Sequence, residues 1–191
     1  MADAGMNGVR QNAPMLFPNV ATPTEADHWQ GNRNATVTLV EYGDYECPYC
    51  IQAEPLAHQL VERYHDRMVF VFRHYPLTEI HPHAELAAEA AEAAAAQGAF
   101  WPMHHALFRQ RRHLGAPALR EYAEEVGLDT VRFDRDMAAR TYADRVTAHR
   151  QSAASFGLRA TPTFLLDGIV IDVSFGLDRL EAALRKALNP A

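Results

Sequence analysis

The spacing of apolar and polar positions changes period several times along the chain. From Ala35 to Gly43, "ATVTLVEYG" is β-branched and apolar throughout, the pattern of a strand buried on both faces. Ala53, Leu56, Ala57, Leu60, Val61 and Tyr64 then recur at helical spacing. "MVFVFRHY", Met68 to Tyr75, reads as a second strand. Together these predict a β-α-β unit with parallel strands and a right-handed crossover. From about Pro82 to Phe156 the strand pattern disappears. The alanine-rich "HAELAAEAAEAAAAQG" predicts a helix closed at Gly98. Pro102 and Pro117 are placed to open two more helices, Asp129 to cap a short one, and a longer one is expected over 141–156. Strands return in "TPTFLLDGIVIDVS", two apolar runs around Asp167-Gly168, a hairpin signal. Leu177, Leu180, Leu184, Ala187 and Leu188 share one face of a final helix. The first ~30 residues carry Gly, Asn, Pro and Thr without a period and predict an extended or mobile arm.

Length and charge narrow the classes. A chain of 191 residues fits one domain with room for an insertion and needs no disulfide staples. Apolar residues make up 48% and charged residues 22%, ordinary for a globular protein. A formal charge of −6 argues against nucleic acid or an acidic membrane surface as partner. No run approaches the ~18 apolar residues of a membrane span, and the N-terminus lacks a signal-peptide pattern. The expected location is therefore cytoplasmic.

Cys47 and Cys50 are the only cysteines, set two residues apart where the first strand gives way to the helix. Pro48 occupies the first helical position, where a missing N–H costs nothing. Cys47 thus faces the unpaired amides and positive end of a helix, which favours thiolate, the reactive form. Cys50 lies one turn further in, close enough for a disulfide and better buried, which suits a resolving role.

"VTLVEYGDYECPYC", "GLRATPTFLLDG" and the intervening "AFWPMHHALF" resemble a DsbA-type thiol–disulfide oxidoreductase of the thioredoxin-fold superfamily, over about residues 34 to 189. The resemblance implies an α/β thioredoxin fold, β-α-β plus β-β-α around a central sheet, with an inserted all-helical subdomain. The boundaries read as an N-terminal arm over 1–33, a thioredoxin-fold domain over 34–80 and 157–191, and a helical insertion over 81–156. It also implies a cis bond at Thr161-Pro162, opposite the thiols, where Thr161 would present backbone groups to an extended substrate. Glu41 matches the family's buried acid; burial should raise its pKa and let it exchange the proton of Cys50, through water. Pro55 is expected to kink the helix.

The active-site dipeptide Pro48-Tyr49 departs from the family, where histidine is common at the second position. A neutral tyrosine stabilises a thiolate less than a histidinium. Asp44, Glu46 and Glu54 crowd the site, with no Lys or Arg between Asn34 and Glu62. The Cys47 pKa is therefore expected to be lowered, but to remain above ~4.

These residues predict exchange between a CPYC dithiol and protein thiols through a mixed disulfide. The Cys47-Cys50 disulfide itself is the redox group, with no metal or organic cofactor, and the expected redox partner is glutathione or a thioredoxin-like reductant. A zinc set of both cysteines with two of His81, His83, His104 and His105 fits poorly, because no histidine pair has the finger spacing. The histidines are expected to cap helices or lie on the surface, and Phe100, Trp101, Phe108 and Phe156 to form the core of the helical block or line a groove over the thiols. "RQRRH", 109–113, reads as a solvated helix end. Two other classes stay open: a non-catalytic binding or chaperone module, and a glutathione-dependent small-molecule isomerase relative, which usually lacks the second thiol.

Overall fold

A computed structural model describes residues 16–17, 23–109, 113–174 and 176–189. Five strands form one sheet: β1 (His28–Gly31), β2 (Val37–Gly43), β3 (Met68–His74), β4 (Thr163–Leu166) and β5 (Ile169–Ile171). Their order is β1-β3-β2-β4-β5. The predicted parallel pair is present as β2 beside β3, with Val40 opposite Val71. Both strands are buried along their whole length, as central strands covered on two faces should be.

The arm expected over 1–33 is not an arm at its end. His28 to Gly31 pair antiparallel with β3 and make the sheet edge. "HWQG" carries no strand pattern of its own; its conformation comes from its partner strand. Residues 1–15 and 18–22 of the expected arm lie outside the described residues, as do 110–112 of "RQRRH". Arg109 at the end of that helix is paired with Glu125.

β2 and β3 are joined through α1 (Pro48–Tyr64). This helix is a single uninterrupted segment that includes Pro55, so no break separates the turn at Cys47 from the helix body. Between β3 and β4 lie α2 (Ala84–Ala95), α3 (Phe100–Arg109), α4 (Ala116–Glu125), α5 (Thr130–Ala138) and α6 (Ala143–Ser155). The capping expectation holds at Asp129, whose carboxylate accepts from the amides of Val131 and Arg132 at 3.0 Å. Pro102 falls in the first turn of α3 rather than opening it. β4 and β5 are the expected hairpin. Asp167 (φ 49°) and Gly168 (φ 80°) both take the left-handed conformation that a tight two-residue turn of this twist requires. α7 (Asp178–Leu188) closes the chain with Leu180, Leu184 and Leu188 buried at four-residue spacing.

The two faces of the sheet carry separate cores. Leu39, Phe70, Phe72, Phe164 and Leu166 pack toward α1, α2, α3 and α7. Val40, Tyr42, Val69, Val71 and Leu165 pack on the other face with Ala153 and Leu158. The small side chains of α2 are buried on nearly every side. Its Glu92 reaches a polar knot at the sheet edge: His28 Nε2 and His74 Nε2 each lie 2.9 Å from the carboxylate, and Arg145 Nε 2.6 Å from it. Burial pushes the Glu92 pKa up, but the hydrogen bonds from His28 and His74 more than offset this and hold it below the usual carboxylate range.

Candidate active site

Cys47 stands at the mouth of α1, extended at φ −71° and ψ 122°, so its carbonyl accepts the first helical bond from Ile51 N at 3.1 Å. Pro48 follows at the first helical position, as expected. Cys47 is 3% exposed and Cys50 fully buried. Both are free thiols.

The pKa of Cys47 is lowered to about 5. The first cause is the thiol of Cys50, which donates to the Cys47 sulfur; burial opposes it, and Thr161 and the amides of Cys50 and Tyr49 add to the lowering. Those amides point at the sulfur without completing hydrogen-bond geometry, so their effect is that of a helix mouth. Burial, and then its role as donor to Cys47, pushes Cys50 well above the ordinary thiol range. One thiol of the pair is thereby charged at neutral pH and the other is not.

The Thr161-Pro162 peptide is cis. As a thiol, Cys47 donates to the Thr161 carbonyl at 3.2 Å. Ionised, it cannot. The Thr161 hydroxyl is buried and has no other partner among the described residues, so it is free to serve the thiolate. Beside them runs a groove of about 450 Å³ lined by Tyr49, Gln52, Thr161, Pro162, Val173 and Leu177. Tyr49 is 69% exposed at its rim. The aromatics of α3 do not line this groove. Phe100 and Phe108 pack with Tyr45, Phe72 and His104 beneath the Cys47 turn, because the turn itself needs an apolar floor.

Glu41 points into the α1 side of the sheet and is 3% exposed. Burial first, then the charges of Glu54 and Cys47, raise its pKa to about 8. One of its oxygens has no hydrogen-bond partner among the described residues. A cavity of about 10 Å³, the size of one water, separates it from Glu54, His58 and His105.

The three acids expected to repel the thiolate are each engaged by a histidine. Asp44 accepts from Leu77 N and lies 2.8 Å from His81 Nδ1, Glu46 lies 3.1 Å from His83 Nδ1, and Glu54 3.0 Å from His105 Nδ1. His83 stands at the N-cap of α2 and is exposed, as expected, and also pairs with Glu46. His81 and His105 are half-buried carboxylate partners, and His104, expected at a cap or on the surface, is buried. Asp44 also shapes the turn, accepting from Glu46 N two residues on. Only that local bond was readable from "GDYEC"; the histidine partners come from 37 or more residues away. The zinc alternative does not assemble: among the described residues, the groups close enough to hold a metal are His28-His74-Glu92 and Glu54-His58-His105, and neither includes a cysteine.

A family model described as thioredoxin matches residues 23–186. The chain belongs to the thioredoxin family. This thioredoxin-family chain is also similar to the Na(+)/H(+) antiporter NhaA 3 of Salinispora tropica, with 42% identity over 172 residues, covering 90% of the chain and 26% of that protein. The chain thus spans about a quarter of the length of the curated relatives it matches. No described helix is long and apolar enough to cross a membrane. A thioredoxin-like oxidoreductase from Silicibacter pomeroyi superposes with a TM-score of 0.78 at 28% identity, covering 91% of this chain and 98% of that one. Wolbachia pipientis alpha-DsbA1 superposes at 0.75 with 19% identity, over 90% and 95%. The fold is therefore the DsbA-type thioredoxin fold with its helical insertion.

Proposed function

We propose that the protein is a thiol–disulfide oxidoreductase that exchanges a Cys47-Cys50 disulfide with protein thiols. The observation that carries this reading is the split between the two thiols: Cys47 lowered to about 5 and Cys50 raised, with Thr161-Pro162 opposite them.

In the oxidising direction a substrate thiolate attacks the Cys47 sulfur. The Cys47–Cys50 bond breaks and a Cys47–substrate bond forms. Cys50 leaves as a thiolate and takes up a proton, for which Glu41, protonated at neutral pH, is the source. A second substrate thiolate then attacks the substrate sulfur and expels Cys47 as a stable thiolate. Two electrons pass from the substrate's thiols to the enzyme's. Run backwards, the Cys47 thiolate opens a substrate disulfide. Glu41 first gives its proton to solvent, its carboxylate then takes the proton of Cys50, and the Cys50 thiolate attacks the Cys47 sulfur and expels the substrate thiolate. The groove beside Tyr49 and Pro162 takes an extended segment of the substrate, and the Thr161 backbone aligns it. In the reducing direction, glutathione or a thioredoxin-like reductant returns the Cys47-Cys50 disulfide to the dithiol; in the oxidising direction, a disulfide such as glutathione disulfide takes the two electrons back and re-forms it. The potential of the surrounding thiol pool sets the direction.

The test is equilibration with glutathione buffers, followed by turnover of a disulfide-bearing protein. Cys47→Ser should abolish exchange. Cys50→Ser should keep the first step and accumulate mixed disulfide. Exchange that survives Cys47→Ser would refute the reading, and function retained without either cysteine would favour a binding or chaperone module.

A further inference from the structure

We propose that Glu54, His58 and His105 form a binding site for a divalent transition-metal ion, zinc foremost, that ties α1 to the helical insertion. Glu54 and His58 stand four residues apart on α1, so their side chains leave one face a turn apart. His105 meets them from α3. One ligand atom from each residue lies within 4.8 Å of the other two. Glu54 Oε1 and His105 Nδ1 are 3.0 Å apart, and the His58 and His105 rings meet edge to face at 4.9 Å. With zinc bonds of about 2.0–2.1 Å, tetrahedral ligand atoms sit about 3.3 Å from one another. The remaining gap lies between side-chain atoms, in groups 21%, 42% and 33% exposed. Two imidazoles and one carboxylate suit zinc and leave a fourth position for water.

Two further observations favour this cluster. His58 Nδ1 is buried with no hydrogen-bond partner among the described residues. Among the described residues, the ion pairs of the cluster's side chains also involve neither Lys nor Arg: Glu54 pairs with His105, and His58 Nε2 lies 3.4 Å from Glu62. The second group with donors as close, His28, His74 and Glu92, differs in this respect. There Arg145 lies 2.6 Å from a Glu92 oxygen and 3.1 Å from His28 Nε2. A guanidinium already fills the place an ion would take. An ion on the first cluster would stand beside the cavity that Glu41 also lines.

The experiment measures zinc and cobalt binding to the full chain carrying Cys47→Ser and Cys50→Ser. The thiols then cannot compete, and the redox reading is not at stake. Zinc should bind, raise the Tm, and displace cobalt whose visible absorption reports a four-coordinate site. His58→Ala, His105→Ala and the milder Glu54→Gln should each weaken binding at least about tenfold, while melting curves without zinc show each variant folded. His28→Ala should leave binding unchanged. The proposal is overturned if zinc fails to bind below about 1 mM, if all three ligand variants bind as tightly as their parent, or if His28→Ala is the variant that loses the ion.

Discussion

Glu41 and Glu92 are equally buried, each 3% exposed, yet they adopt opposite states. Glu41 has an oxygen without a partner and a pKa raised to about 8, so it is neutral at neutral pH. Glu92 has His28, His74 and Arg145 around it and is ionised. Burial sets the penalty on charge; the partners decide whether the charge is kept. A lone acid in a core is a proton store, and a surrounded one is a fastening.

The largest expected effect tests the fastening. Glu92→Gln removes the anion from a buried group of cations and donors, and should destabilise the fold by about 3–5 kcal/mol in denaturant unfolding. A loss under about 1 kcal/mol would mean that the knot contributes little. The proton store predicts a pH dependence of the opposite sign. Because the folded pKa of Glu41 is raised above its ordinary value of 4.5, the folded chain binds the extra proton between 4.5 and about 8, and stability falls as pH rises through that window. Relative to Glu41→Gln, the native chain should lose about 1.4 kcal/mol per pH unit from about pH 5 to 8. Glu92 works the other way: its contribution is present above the ordinary carboxylate value and disappears on acidification. Parallel stability curves for the native chain and Glu41→Gln would erase the contrast.

Gly43→Ala probes the space around Glu41. A Cβ there would sit 2.4 Å from the Phe72 ring and 3.2 Å from a Glu41 oxygen. The ring cannot yield freely in a packed core, so a loss of about 1–3 kcal/mol is expected in thermal unfolding. The smallest effect concerns the sulfurs. Cys50→Ala removes the thiol that donates to Cys47, and a thiolate absorbance titration should place the Cys47 pKa about one unit above its native value of about 5.

Elements with a strong period were legible in the sequence. β2, α1, the Asp167-Gly168 hairpin and α7 each announce themselves through side-chain spacing or turn chemistry. β1 was not, because four residues without alternation become a strand only by pairing with β3. At the site, Cys47, Cys50, Glu41, Thr161 and Pro162 lie together where the motif implied, since local order places the cysteines and sheet pairing sets Glu41 opposite Phe164 in β4. The partners His81, His83 and His105 were missed as partners. Nothing in their own neighbourhood signals a carboxylate 37 to 51 residues away. Pro55 does not end α1, which continues through it from Pro48 to Tyr64.

The contact between Asp44 and His81 joins the turn ahead of the redox helix to the stretch where the chain leaves β3 for α2. The root of the helical insertion is thus also a mooring for the reactive sulfur. A chimera that borrowed another member's insertion would have to bring a donor for Asp44 with it, or its transplanted helices would come at the expense of the CPYC turn.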